Sequence, residues 1–161
     1  MARTRAVFGV MALIKECVLC SRNQDGMIYA GENWRVIVVD EAGYPGFCRV
    51  IWNRHVAEMT DLDEKDRMEL MSVVWLVERC VRQVMQPDKI NLASLGNMVP
   101  HLHWHVIPRY ADDAHFPDSV WSVARRCADE RAIRERKSRL PELRKRLEEV
   151  LTAQYGPARG L

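Results

Sequence analysis

The sequence predicts an α+β domain built on an antiparallel sheet, and three observations carry that expectation. Residues 27–53 contain three short β-rich runs, close enough in the chain to form a meander. Residues 64–86 show the apolar period of an amphipathic helix, and Pro100–Arg109 alternates histidine with apolar residues at every second position. A chain of 161 residues, 48% apolar and 29% charged, suits one domain with a sizeable core plus an extension.

Residues 1–16 are read as an N-terminal lead, with Met1 and Met11 both able to serve as the start. Arg3 and Arg5 before the apolar stretch Ala6–Ile14 have the outline of an export signal, but Lys15 and Glu16 follow and no small-residue cleavage site appears. Five cysteines, an odd number and mostly scattered, argue against a secreted disulfide framework and fit a reducing cytoplasm. Cys17 and Cys20 alone are spaced to hold one tetrahedral ion. That spacing equally suits two packed thiols or a redox pair, and by itself it is half a site.

Met27–Ala30, Trp34–Asp40 and Gly46–Asn53 read as strands, separated by a turn at 31–33 and a loop at 41–45. Thr60, Asp61, Asp63 and Glu64 supply N-cap and first-turn acids for a helix over Glu64–Gln86, which Pro87 stops. Met68, Met71, Val74, Trp75, Val77, Val81 and Val84 recur at three- and four-residue steps and are expected in the core. Ile90–Ser94 is a short strand, and the loop Gly96–Pro100 delivers the histidine strand. On that strand His101, His103 and His105 line one face at intervals of about 6–7 Å, while Leu102, Trp104 and Val106 pack on the other.

Beyond Tyr110 the sequence predicts a polar loop over 111–118 and a short apolar anchor at Val120–Trp121. A helix starting near Pro141, with Leu143, Leu147, Val150 and Leu151 on one side, ends before Gly156-Pro157 and is expected outside the sheet. Residues 122–149 hold ten Lys/Arg against six Asp/Glu in a chain of net charge +2, so the extension is basic and the body mildly acidic. Nothing in this balance indicates a general nucleic-acid binder, and no apolar run is long enough to span a membrane.

The stretch Pro100-His101-Leu102-His103-Trp104-His105-Val106-Ile107-Pro108-Arg109 closely resembles the His-φ-His-φ-His-φ-φ signature of the histidine triad (HIT) superfamily. The resemblance extends back to about residue 17. It implies a HIT-like fold over 17–110, about five strands per protomer with one long helix, a helical extension over 111–161, and a homodimer. It also implies an enzyme acting on a nucleotide, adenine nucleotides being favoured. A nucleoside 5′-phosphoryl bond of a dinucleoside polyphosphate or an adenylylated amine would be cleaved through a nucleotidyl intermediate. A neutral imidazole has the basic nitrogen for such an attack, and no catalytic metal is required.

By this resemblance His103 is the nucleophile, His105 contacts the phosphate and assists the leaving group, and His101 orients the site. Asp40 matches the ribose-binding position, Asn91 and Asn97 the positions of phosphate-contacting or loop-ordering amides, and Gly96 a loop glycine. The usual Gly-Gln-Ser/Thr before the triad is here Gly96-Asn97-Met98, which shortens the amide and removes a hydroxyl. Cys17, Cys20, His55 and His101 match the positions that bind a structural zinc in some bacterial members. His115 lies outside the motif and reads as a loop residue. Two other activities fit the same residues: a nucleotidyltransferase, and a nucleotide sensor with little turnover that docks through its basic tail.

Overall fold

The computed structural model describes residues 17–21 and 25–159, so the predicted lead at 1–16 lies outside the described residues. Five strands, β1 (Met27–Ala30), β2 (Trp34–Val38), β3 (Cys48–Trp52), β4 (Lys89–Ala93) and β5 (His103–Arg109), form one antiparallel sheet in the order β1-β2-β3-β5-β4. Three α-helices accompany them: α1 (Glu64–Met85), α2 (Glu130–Lys137) and α3 (Leu140–Tyr155). Among the described residues no helix is long and apolar enough to cross a membrane.

Helix α1 starts where the Asp63 carboxylate accepts the Asp66 N–H at 2.8 Å, and stops at Gln86 in the left-handed conformation, φ 52°, just before Pro87. Its buried stripe is Leu70, Val73, Val74, Leu76, Val77, Cys80, Val81 and Met85. Two residues expected in the core are not there, since Met68 is 54% and Trp75 50% exposed. At about 100° per residue both fall roughly 150° from Leu70, so steps of three and four threaded two faces of one helix.

One face of the sheet packs against this stripe through Val36, Val50, Leu102 and Val106. Helix α3, expected to lie outside, belongs to the same core: Leu143, Leu147 and Leu151 are fully buried there. Tyr155 at its end sets its ring edge-on to Trp34, with centroids 4.9 Å apart, and the Tyr29 hydroxyl donates to the Gly156 carbonyl at 2.9 Å. The third layer therefore closes over both α1 and β1.

The opposite face carries Arg35 and Ile37 of β2, Arg49 and Ile51 of β3, and His103 and His105 of β5. The turn at 17–21 and the loop after β5 border it. Buried Arg109 pins that loop, donating to both Asp113 carboxylate oxygens at 2.7 and 3.0 Å and to the Asp118 carbonyl at 2.8 Å. Several arginines of the basic extension do the same kind of work. Arg126 donates to the Ala111, Asp113 and Phe116 carbonyls, Arg139 to the Met85 carbonyl, and Arg136 pairs with Asp112 while covering the Tyr110 ring at 3.7 Å.

Candidate active site

The strand proper begins at His103, one turn of the pleat later than the motif suggests, and His101 enters just before it. The Leu102 carbonyl still accepts the Trp52 N–H at 3.1 Å, and the Leu102 N–H reaches the Val56 carbonyl at 2.7 Å, so the chain is fixed there. The His101 ring contacts the Trp52 carbonyl through Nε2 at 2.6 Å. A carbonyl can only accept, so Nε2 carries the proton and Nδ1 keeps its lone pair. The same reasoning applies to His103, whose Nδ1 lies 2.6 Å from the His101 carbonyl. Nδ1–H donates, and the lone pair of His103 is on Nε2.

All three imidazoles are buried. Burial lowers the pKa of His103, the Arg49 charge adds to that effect, and the hydrogen bond to the His101 carbonyl opposes it. His105 is held down to about 3, by burial first and then by the charges of His103 and Arg49. Its ring sits edge-on among His103, Phe47 and Trp121, with centroids 4.6, 5.4 and 5.2 Å away, and its Nδ1 is buried without a hydrogen-bond partner. Both rings are therefore neutral at pH 7.

His103 and His105 open into a cleft of about 450 Å³ whose wall includes Arg49, Gly96, Asn97 and Trp121. Gly96 holds φ +124°, a conformation that a side chain would strain, and so bends the loop over the cleft. Met98, at the position lacking the hydroxyl, is 93% exposed. Ser94 at the loop's start donates to the His103 carbonyl at 3.0 Å and steadies the strand. A second cavity of about 560 Å³ shares Val18, Leu19 and Arg49 with the first, and Asp40 and Ile37 also line it. Asp40 is exposed, two residues beyond the end of β2.

Asn91, matched to a phosphate-contacting or loop-ordering amide, and His115, expected as a loop residue, lie away from these cavities. The Asn91 side chain accepts from Arg109 at 2.7 Å, which turns it to the support of the loop after β5. His115 is hydrogen-bonded to the Tyr44 hydroxyl within that loop's packing. Conversely, Arg49 and Phe47 border the triad without having been singled out, and Trp121, expected only as part of an apolar anchor, packs against His105. The signal for Arg49 was period two within β3, but only the register, which sets Arg49 opposite His105 and Ile51 opposite His103, puts it beside the site.

Cys17, Cys20, His55 and His101 converge, their donor atoms all within 4.8 Å of one another. His101 Nδ1 is 3.4 Å from Cys17 Sγ and 3.5 Å from Cys20 Sγ, and His55 Nδ1 is 3.3 Å from Cys20 Sγ. Tetrahedral bonds of about 2.3 Å to sulfur and about 2.0 Å to nitrogen separate such atoms by about 3.5 Å, so this set fits one metal ion. Burial first, and then Cys17, push the Cys20 thiol up to about 11. A divalent cation among them would reverse that preference. Arg35 braces the turn by donating to the Leu19 carbonyl and, at 2.9 Å, to Asn53 Oδ1.

Comparisons with known proteins agree with this geometry. AP-4-A phosphorylase of Mycobacterium tuberculosis is 30% identical over 101 residues, covering 58% of this chain and 52% of that protein. The asymmetrical bis(5′-nucleosyl)-tetraphosphatase of Schizosaccharomyces pombe is 31% identical over 83 residues, covering 48% and 46%. The chain thus spans about half the length of these relatives. A histidine triad protein from Bradyrhizobium japonicum superposes with a TM-score of 0.61 at 33% identity, covering 76% of this chain and 91% of that one. The HIT domain model matches residues 21–112, a span that takes in the whole sheet beyond the first turn, the helix α1 and the histidines of the cleft. With more than half of its length so matched, the chain belongs to the HIT domain family.

Proposed function

We propose that the protein cleaves a nucleoside 5′-phosphoryl anhydride, of the dinucleoside polyphosphate kind, through a nucleotidyl group carried on His103. The observation that carries this reading is the 2.6 Å contact from His103 Nδ1 to the His101 carbonyl, which leaves a lone pair on Nε2 of a neutral ring facing the cleft. In the first step that lone pair forms a bond to phosphorus. The bond from phosphorus to the bridging oxygen breaks, and its electron pair leaves with the polyphosphate. The resulting imidazolium keeps its Nδ1–H on the His101 carbonyl, which stabilises the charge. In the second step water attacks phosphorus, the N–P bond returns its pair to Nε2, and a proton goes to solvent.

A polyphosphate leaving group departs as an anion, whereas an amine must be protonated. Met98 in place of a hydroxyl supplies no proton there, which favours the anhydride over the adenylylated amine. The two sequence relatives are named as a phosphorylase and a hydrolase, and the acceptor distinguishes them. Water gives a nucleoside monophosphate, and inorganic phosphate gives a diphosphate, the transferase outcome. Turnover of diadenosine tetraphosphate with and without phosphate, for the wild type and His103→Ala, tests the proposal. Tight binding without turnover on any such substrate would favour the sensor.

The four-donor cluster is read as a structural zinc site. Zinc there would supply a cross-link between the turn at 17–20, the residues after β3 and His101. His101 then joins both functions, its ring to the cluster and its carbonyl to the nucleophile. The exposed Met68 and Trp75 on the outer side of α1 are the apolar surface that the expected homodimer would cover.

A further inference from the structure

Arg49 differs from the other arginines with restrained positions in this structure. Arg109, Arg126 and Arg136 each spend their guanidinium on carboxylates or carbonyls. Arg49 lies in the middle of β3, half-buried, and makes no hydrogen bond or ion pair with the described residues; its Nε is buried without a partner. Its guanidinium lies over the Phe47 ring, 5.7 Å from Cζ to the centroid, which attracts a cation without satisfying its donors. Leaving a guanidinium partly desolvated and unpaired costs stability, and such groups are uncommon unless something else completes them. The position is also special. Arg49 is among the few residues lining both cavities, the one reaching to Asp40 and the one holding His103 and His105. A ligand with its ribose at Asp40 and its phosphoryl group within reach of His103 Nε2 would span both cavities, which share Arg49.

We propose that Arg49 binds the phosphoryl group under attack and acts as a catalytic residue, its guanidinium donating to the non-bridging oxygens while the bond to the leaving group breaks. This rests on the reading of His103 as the nucleophile. On a central strand directly opposite His105, the cation lines the cleft in which charge would gather on those oxygens. A planar fork with several donors suits a tetrahedral phosphoryl group better than a single ammonium would. It also offsets the departures in the loop: where Asn97 is short and Met98 has no hydroxyl, Arg49 supplies donors from the floor of the cleft instead. Bound phosphate would give the guanidinium the partners that the protein withholds.

The test uses the full chain with Arg49→Met and Arg49→Lys, diadenosine tetraphosphate as substrate, and calorimetric binding of AMP and adenosine. Arg49→Met is expected to lower kcat by about 100- to 1,000-fold, as loss of one transition-state donor does. It should erase at least tenfold of the AMP affinity and leave adenosine binding within twofold. Its melting temperature should hold or rise, since no partner is orphaned. Arg49→Lys should restore part of the rate and of the AMP preference. Turnover within threefold of wild type with the AMP preference kept would overturn the proposal, and so would a joint loss of AMP and adenosine binding with a lowered melting temperature. His103→Ala is run in parallel: if it retains wild-type turnover, the reading of the nucleophile fails, while the AMP-to-adenosine comparison still decides whether Arg49 holds phosphate.

Discussion

On the helix side of the sheet, Val36, Val50, Leu102 and Val106 meet the leucines of α3 and the stripe of α1 in a core free of charge. On the other side, two of the three buried side-chain atoms lacking a hydrogen-bond partner among the described residues, Arg49 Nε and His105 Nδ1, lie in the row with His103. The third, Trp52 Nε1, lies in the helix-side core, so the faces differ in degree: one apolar core with a single such atom, and one polar face with two of them lining a cleft. A ligand in the cleft would complete the unsatisfied groups beside His103, whereas nothing can reach the one in the apolar core.

Substitution on each side in turn is the strongest way to break this contrast. His103→Ala should reduce turnover by about 10⁴-fold or more, as removal of a covalent nucleophile does, with little change in unfolding free energy. Leu147→Ala, in the fully buried row of α3, should do the reverse, costing about 2–5 kcal/mol in denaturant unfolding while the folded fraction keeps its kcat. If both variants lost stability and activity together, the two faces would not be separable.

Metal removal probes the seam between them. Val18 and Leu19, between the two cysteines, line both cavities, so chelation should loosen a cleft wall as well as the fold. Loss of zinc, or Cys17→Ser or Cys20→Ser, is expected to lower stability by several kcal/mol, about 3 or more, less than isolated zinc peptides lose because this domain has its own core. Cys48→Ser, Cys80→Ser and Cys127→Ser should leave metal content unchanged. Elemental analysis of untagged protein decides it, and zinc well below one equivalent per chain at full activity would show that the four side chains converge for packing alone.

Asp40→Ala sharpens the cleft side. A ribose contact present in both ground and transition states should raise KM by about tenfold or more and lower kcat less. A pure loss of kcat would put Asp40 in the chemistry.

The smallest effect concerns pH. Because the folded state holds His103 and His105 below the ordinary histidine pKa, His105 at about 3, protons bind the unfolded chain first as pH falls through about 6.5. Stability should be flat from pH 7 to 8 and decline below pH 6.5, and the acid limb of kcat should lie below pH 6.5. A limb centred at 6.5 or above would contradict the desolvated, neutral nucleophile.

How much of this was legible follows the range over which each feature is encoded. Caps and stop of α1 lie within one segment, as does the His103–His105 alternation, and both could be read directly, whereas the steps of three and four in α1 also drew in the exposed Met68 and Trp75. His101 departed from the strand because its ring and carbonyl are committed to Trp52 and His103, contacts set by the end of β3. Between the two roles open to Asn91, phosphate contact or loop ordering, only the contact from Arg109, eighteen residues on, points to the second. Arg49 was invisible as a site residue because the pairing of β3 with β5 is a property of neither strand alone. The C-terminal helix looked like an appendage since nothing in its apolar row says which surface receives it.

The covalent step on His103 is most directly tested by the stereochemistry at phosphorus. Each in-line displacement inverts the centre, so two successive ones retain it. A dinucleoside polyphosphate made chiral at the attacked phosphorus by sulfur and an oxygen isotope should therefore yield a product with retained configuration. Inversion would mean that water attacks in a single step and that His103 never carries the nucleotide.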